Sequence, residues 1–144
     1  SMPKYCVEAA MELLQRTGKP TKNANIAVLG LAFRGGVDDT RLSPSYDVID
    51  ELERFGCKVR VHDPYVWANS KLTKSVTLTN KLEEAVKDAD LIIISTDHPQ
   101  YQSLNKKKLS QYASAPLVVY DGRGILDKDK FKDTLFAGVG RPLY

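Results

Sequence analysis

Ile26 to Phe33 reads Ile-Ala-Val-Leu-Gly-Leu-Ala-Phe, eight residues without a charge or a polar side chain. A strand with one wet face alternates apolar and polar residues. This one does not, so both of its faces must be covered. Such strands belong to parallel sheets, and parallel neighbours need long crossover connections, usually helices. The rest of the chain supplies both parts. Asp90 to Thr96 (DLIIIST) is a second strand of this kind, and Leu117 to Tyr120 (LVVY) a further one. Cys57 to His62 (CKVRVH) alternates, as a shorter or edge-nearer strand would, and Thr134 to Val139 reads as a final strand. Between them lie helical patterns. One opens at Ser43-Pro44, with Ser43 as cap and Pro44 in the first turn, runs through Val48, Ile49, Leu52 and Phe55, and stops at Gly56. Asn80 is placed to cap a second through Leu82, Ala85 and Val86; a basic helix covers Leu104 to Tyr112 and a short one Lys128 to Lys132. Strand and helix alternate throughout, which specifies an α/β class: a Rossmann-like, doubly wound, mostly parallel sheet of about five strands, preceded by one helix.

That leading helix spans Pro3 to Arg16, with Val7, Ala10, Met11 and Leu14 on one face and Gly18 as its stop. Residues 19–24 are polar and aperiodic and read as a linker. The organisation is thus a helix over 1–18, a linker over 19–24 and an α/β domain over 25–144. The Leu13/Leu14 stripe has little domain beside it in sequence. It is expected to bury against another helix, for instance from a second copy. A 144-residue chain that is 42% hydrophobic is long enough to bury a core. No apolar run approaches the roughly 20 residues needed to span a bilayer. A net charge of +3 argues for neither nucleic acid nor a membrane surface as partner. The two cysteines, Cys6 and Cys57, lie far apart without metal-ligand spacing. The first residues lead straight into the helical pattern, so no leader and a reduced, cytoplasmic setting are expected.

In doubly wound sheets ligands bind beyond the carboxyl ends of the strands. The loops to watch are therefore 33–42, 63–67, 96–101 and 121–125. Gly30-Leu31-Ala32-Phe33-Arg34-Gly35-Gly36 is neither a Walker loop, since no Lys-Ser/Thr comes after it, nor a G-x-G-x-x-G turn. Asp63, at the end of the second strand, stands where a ribose-binding acid would. Without the glycines, however, the tight pyrophosphate turn of a nicotinamide dinucleotide site is missing. Arg34, Asp38, Asp39 and Arg41 crowd next to a helix start. They read either as a phosphate-binding group or, for Asp39 and Arg41, as an internal pair that fixes the loop. His62-Asp63 and Asp97-His98 fix no ligand geometry, and no metal is expected. Lys106-Lys107-Lys108 reads as a solvated face. Trp67 reads as a packing anchor or an interface contact.

Leu29 to Arg34 followed by Asp38-Asp39-Thr40-Arg41-Leu42-Ser43-Pro44 resembles the signature of the UDP-glucose/GDP-mannose dehydrogenase family, specifically its C-terminal, UDP-binding domain. Val61-His62-Asp63-Pro64, Ala89-Asp90 before the Ile run, Thr96-Asp97-His98 and Tyr120-Asp121-Gly122-Arg123-Gly124-Ile125-Leu126 extend the resemblance over essentially the whole chain. It implies an enzyme that oxidises the C6 hydroxyl of a nucleotide sugar to a carboxylate, in two NAD-linked steps through a thiohemiacetal on a cysteine. NAD would be bound by an N-terminal domain absent from this chain, with no cofactor in this chain itself. A central domain would pair the subunits into a homodimer, and residues 1–18 would match its end. Phe33 and Arg34 match the family's Phe-Lys pair at the substrate site, and Arg123 its later substrate-binding arginine. The Phe-Arg departure keeps the charge but offers a planar fork. Gly35-Gly36 replaces more typical residues and is expected to loosen the loop.

A diphosphate needs fixed positive charge, which Arg34 and Arg123 supply. A uracil needs a flat apolar contact, for which Phe33 and Tyr101 are candidates. Arg123 is weighed between ligand contact and pairing with Asp121. No catalytic residue is expected, since neither cysteine has a base beside it. Thr96-Asp97-His98-Pro99-Gln100-Tyr101 resembles the UDP-N-acetylhexosamine branch, which favours UDP-N-acetylmannosamine or UDP-N-acetylglucosamine, with UDP-glucose open. Two competing readings stand beside this one: a ligand-free dimerising interaction module, supported by the stripe on the first helix, and an NAD-binding Rossmann domain.

Overall fold

The first half of the apolar run, 26–29, forms the middle of a sheet, and 30–33 leaves it as a loop rather than continuing the expected strand. In the computed structural model, which describes residues 2–69 and 71–139, β1 (Asn25–Leu29) pairs in parallel with β2 (Lys58–His62) on one side. On its other side it pairs with β4 (Leu91–Ile94). Beyond β2 lies β3 (Thr77–Thr79). Beyond β4 lie β5 (Val118–Asp121) and then β6 (Leu135–Gly138). The order is β3-β2-β1-β4-β5-β6, every pair parallel. The chain therefore reverses its direction of winding between β1 and β4, where a crevice opens at the carboxyl ends. The sheet has six strands rather than about five. The extra one, Thr-Leu-Thr, is a three-residue edge strand with an exposed or half-buried face. It carries no apolar run by which to announce itself.

Helices cover both faces. α1 (Met2–Gln15) and α2 (Ser45–Arg54) pack on one face with Ile26, Val28, Val59, Val61, Leu91 and Ile93. α3 (Leu82–Val86), α4 (Lys106–Ser110) and two 3₁₀ turns, Pro99–Ser103 and Lys128–Phe131, cover the other with Ala27, Leu29, Ile92, Ile94 and Val119. Alternate residues of β1 and β4 thus go to opposite cores. The four side chains of β4 are all fully buried, each contributing about 1.5–3 kcal/mol of apolar burial.

Local chemistry sets the helix ends. Pro44 already has helical dihedrals, and the Ser43 hydroxyl accepts from the Ser45 N–H at 3.2 Å, so Ser43 acts as a cap. Asn80 does not: α3 is preceded by Lys81, whose N–H goes to the Thr79 hydroxyl. The basic helix is shorter than its pattern. Pro99–Ser103 takes up the approach as a 3₁₀ turn, and the Asn105 side chain caps α4 by accepting from the Lys108 N–H. Lys106 is not simply solvated, since its ammonium donates to the carbonyls of Lys132 and Asp133.

The apolar stripe of α1 lies within this chain's own core: Val7, Ala10 and Leu14 are fully buried and Leu13 nearly so. The stripe buries against another helix as expected, but that helix is α2 of this chain rather than one from a second copy, and the interaction-module reading loses its supporting feature. Residues 19–24 are also tied down. Lys19 pairs with Asp90 at 3.1 Å, Asn23 donates to the Gly56 carbonyl and Ala24 accepts from Lys58. Among the described residues no helix is long and apolar enough to cross a membrane.

Candidate functional site

Four loops meet at the carboxyl rim, and buried side chains tie them together. Asp63, fully buried at the end of β2, accepts from the N–H groups of Leu31 and Ala32 at 2.8 and 2.9 Å through one oxygen. The other oxygen accepts from Tyr65 and Val66. His98, also fully buried, donates from Nε2 to the same carboxylate at 2.8 Å. The Gly36 N–H donates to its Nδ1, which fixes the tautomer. Burial alone would raise the Asp63 pKa; the bonds from His98 and from the Ala32, Leu31 and Tyr65 amides more than offset it and lower it. The neighbouring His62 is shifted downward, chiefly by burial against the opposing charge of Asp63, and its ring bonds the Tyr101 hydroxyl.

This geometry bears on the dinucleotide question. The Leu31 and Ala32 amides after β1 and the acid at the end of β2 are engaged with each other. It also corrects the expectation of a loose loop. Gly30 has φ +111°, and a Cβ there would lie 2.3 Å from the Thr96 Cβ. At Gly35 a Cβ would lie 2.2 Å from the Asp97 carbonyl oxygen. With no side chains in the way, the Gly35 N–H donates to the Asp97 carboxylate and that of Gly36 to His98. The glycines bind the loop to the end of β4.

A cavity of about 350 Å³ opens at this rim, near the lower end of the size usual for small-molecule sites. Phe33 and Arg34 line it from the loop after β1, Ser95 from the end of β4, and Arg123 from the loop after β5; Cys6 and Val48 close it from α1 and α2. Phe33 is 47% exposed. Arg34 is exposed and among the described residues has no ion pair. Arg123 is restrained: its guanidinium lies 3.4 Å from the Ser95 carbonyl and 3.5 Å from the Asp97 carboxylate. Asp97, not Asp121, is therefore the side-chain partner of Arg123. Asp121, fully buried, instead accepts from the backbone of Arg123, Gly124 and Leu126.

The remaining candidates fall elsewhere. Asp39 and Arg41 pair with each other through two parallel bonds of 3.0 and 2.9 Å, and the Arg41 guanidinium beside Asp39 holds its carboxyl at about 2. Tyr101 is buried in the opposite core, with its hydroxyl on His62, and is no stacking platform for a base. Trp67 is 76% exposed and anchors no core. Among the described residues no group of three or more metal-ligating side chains forms. Burial pushes the Cys6 thiol up to about 12 and the Cys57 thiol to about 11, which keeps both protonated and poorly nucleophilic. The reading from sequence missed Asp63, His98 and Asp97 as the braces of the site. Their position at strand ends was visible, but not which amides they would reach.

Residues 27–128 match the model of the UDP-glucose/GDP-mannose dehydrogenase family, UDP binding domain. The chain is 34% identical over 140 residues to a UDP-N-acetyl-D-mannosamine dehydrogenase of Pyrococcus horikoshii, covering 97% of this chain and 31% of that protein. It is 35% identical over 137 residues to a UDP-glucose 6-dehydrogenase of Rickettsia bellii, covering 93% of this chain and 31% of that protein. Among solved structures it superposes on the NDP-N-acetyl-D-galactosaminuronic acid dehydrogenase of Methanosarcina mazei Go1 with a TM-score of 0.86 at 34% identity, over 96% of this chain and 29% of that one. It spans about a third of the length of such relatives. The six parallel strands, the rim cavity and these matches agree: the chain belongs to the UDP-glucose/GDP-mannose dehydrogenase family, as its UDP binding domain.

Proposed function

We propose that the rim cavity holds the UDP half of a nucleotide sugar, and that the chain is the C-terminal substrate-binding part of an NAD-dependent UDP-sugar 6-dehydrogenase. The observation that carries this reading is that Phe33, Arg34 and Arg123, from loops far apart in sequence, line one cavity. Arg34 and Arg123 supply charge for the diphosphate, and Phe33 a half-exposed ring for the base. The sugar C6 hydroxyl is oxidised to a carboxylate by groups outside this chain, with NAD held by an N-terminal domain. The work of these residues is to bind and orient. Grip on the remote nucleotide places the reacting carbon and lowers the entropic part of the barrier.

Pairing of whole subunits as a cytoplasmic homodimer belongs to a central domain whose last helix is residues 1–18. UDP-N-acetylmannosamine or UDP-N-acetylglucosamine is the favoured substrate. The name of the Pyrococcus horikoshii relative supports that preference and that of the Methanosarcina mazei relative the wider N-acetylhexosamine class, while the Rickettsia bellii relative keeps UDP-glucose in view.

Calorimetric titration tests the reading. UDP binds and NAD does not; Arg34→Ala and Arg123→Ala each weaken UDP by about tenfold or more, as expected for a charge-assisted bond worth about 1.5–3 kcal/mol. NAD affinity without UDP affinity, or UDP affinity indifferent to both substitutions, would overturn it.

A further inference from the structure

Arg34 and Arg123 face one cavity in different electrostatic states, and Asp97 makes the difference. Its carboxylate is not among the groups lining the cavity, but it touches both arms of the site. One oxygen accepts from the Gly35 N–H, next to Arg34 in the chain. The other lies 3.5 Å from the Arg123 guanidinium. Arg34 has no such counter-charge among the described residues. The two contacts of Asp97 also differ in kind. The bond to Gly35 is short and braces the loop, whereas Arg123 is held at the outer limit of hydrogen-bond distance, at 3.4 Å to Ser95 and 3.5 Å to Asp97. The side chains of that ion pair are 32% and 40% exposed. A pair held so loosely, partly in water, shifts an equilibrium by about fivefold at most.

We propose that Asp97 is a resident counter-ion that moderates the grip of Arg123 on the ligand's diphosphate, an inference that rests on the proposed function above. In the free protein the carboxylate occupies Arg123, and the incoming phosphate must compete for it. After binding, the same carboxylate repels the diphosphate through space. Both effects weaken binding. Only the orientation that Asp97 gives Arg123 acts the other way, and contacts of 3.4 and 3.5 Å leave little orientation to lose. The device has a use. The UDP half is the same in substrate and product, so grip on it beyond what places the reacting carbon is uniform binding that does not speed the chemistry and delays departure of the product.

Asp97→Asn removes the charge and keeps an oxygen for Gly35. Titrated with UDP, the 144-residue chain carrying it binds about two- to fivefold tighter than wild type. Its affinity for uridine, which has no phosphate, stays unchanged. With Arg123→Ala already present, most of the gain disappears. Asp97→Ala gives up the Gly35 bond as well, and uridine then weakens too. Unchanged or weaker UDP binding by Asp97→Asn, or an equal shift for UDP and uridine, overturns the role of Asp97 while leaving the cavity assignment intact. Absence of UDP binding in wild type and Asp97→Asn alike overturns the cavity assignment, and this proposal with it.

Discussion

The loops after β1 and β5 both deliver an arginine to the same cavity, yet they are held in opposite ways. The β5 loop is organised chiefly by its own strand: Asp121 accepts from amides two, three and five residues ahead of it, with the Gly122 amide and the Arg123 guanidinium reaching across to the carbonyls of Ile94 and Ser95. The β1 loop is organised by other strands. Its Leu31 and Ala32 amides go to Asp63 of the β2 end, its Gly35 and Gly36 amides to Asp97 and His98 beyond β4, and its Ala32 carbonyl accepts from the Thr96 hydroxyl. One loop is a local turn; the other is a knot of three strand ends. A local turn fails by itself. A knot fails together, and takes with it every loop it joins.

The sharpest test of that contrast is Asp63→Ala. It leaves four amides, three of them buried, and the His98 ring without their acceptor and, at about 1–3 kcal/mol for an orphaned buried donor, costs about 3–5 kcal/mol in urea unfolding. Amide exchange should accelerate at Leu31, Ala32, Tyr65 and Val66 at once. Change confined to residues 31 and 32 would break the picture of a shared knot. The lowered Asp63 pKa adds a pH signature. A carboxyl whose folded pKa lies below its unfolded value stabilises the fold above about pH 4 and loses that contribution as pH falls through the folded value. The acid limb of the stability profile should therefore flatten in Asp63→Asn.

Gly30→Ala attacks the same knot through space. Its Cβ meets the Thr96 side chain while φ of +111° already disfavours an L residue. Strain and overpacking together cost about 2–4 kcal/mol. Asp121→Ala comes next, at about 1–3 kcal/mol for its orphaned amides. Its distinguishing mark is reach: exchange rises at Arg123, Gly124 and Leu126 while Leu31 and Ala32 keep their protection. Equal disturbance of the β1 loop would show that the two halves of the rim are one unit.

The same difference in reach explains what could be read without coordinates. β1 and β4 are unmistakable because an apolar run in one case, and a run of isoleucines in the other, point to a strand covered on both faces, although the run does not show that β1 stops at Leu29. Asp-Gly-Arg-Gly announces a turn at a strand end because three of the amides that Asp121 accepts from lie within the next five residues. β3 was invisible, since three residues at a sheet edge carry no periodicity. The Asp63 knot was invisible for another reason: three of its five partners lie 31 to 35 residues away, and which strand ends abut depends on the sheet order. Tyr101 misled for the same reason. Its place after a strand suggested a ligand contact, but a 3₁₀ turn rolls it into the far core.

The smallest effect belongs to a pair that looks strong on paper. Arg41 grips Asp39 through two parallel bonds, better geometry than Arg123 has with Asp97. But the Arg41 side chain is 85% exposed, both partners are tied two residues apart, and the pair orders little beyond itself. What closes that stretch of loop is the backbone bond from Phe33 to the Asp39 carbonyl at 2.7 Å, which needs neither side chain. Arg41→Ala should therefore leave the unfolding midpoint and the UDP affinity within error of wild type, whereas Arg123→Ala weakens UDP. A matching loss in Arg41→Ala would mean that this arginine leaves Asp39 to join the ligand, and that the site reaches further along the β1 loop than the cavity lined by Phe33 and Arg34.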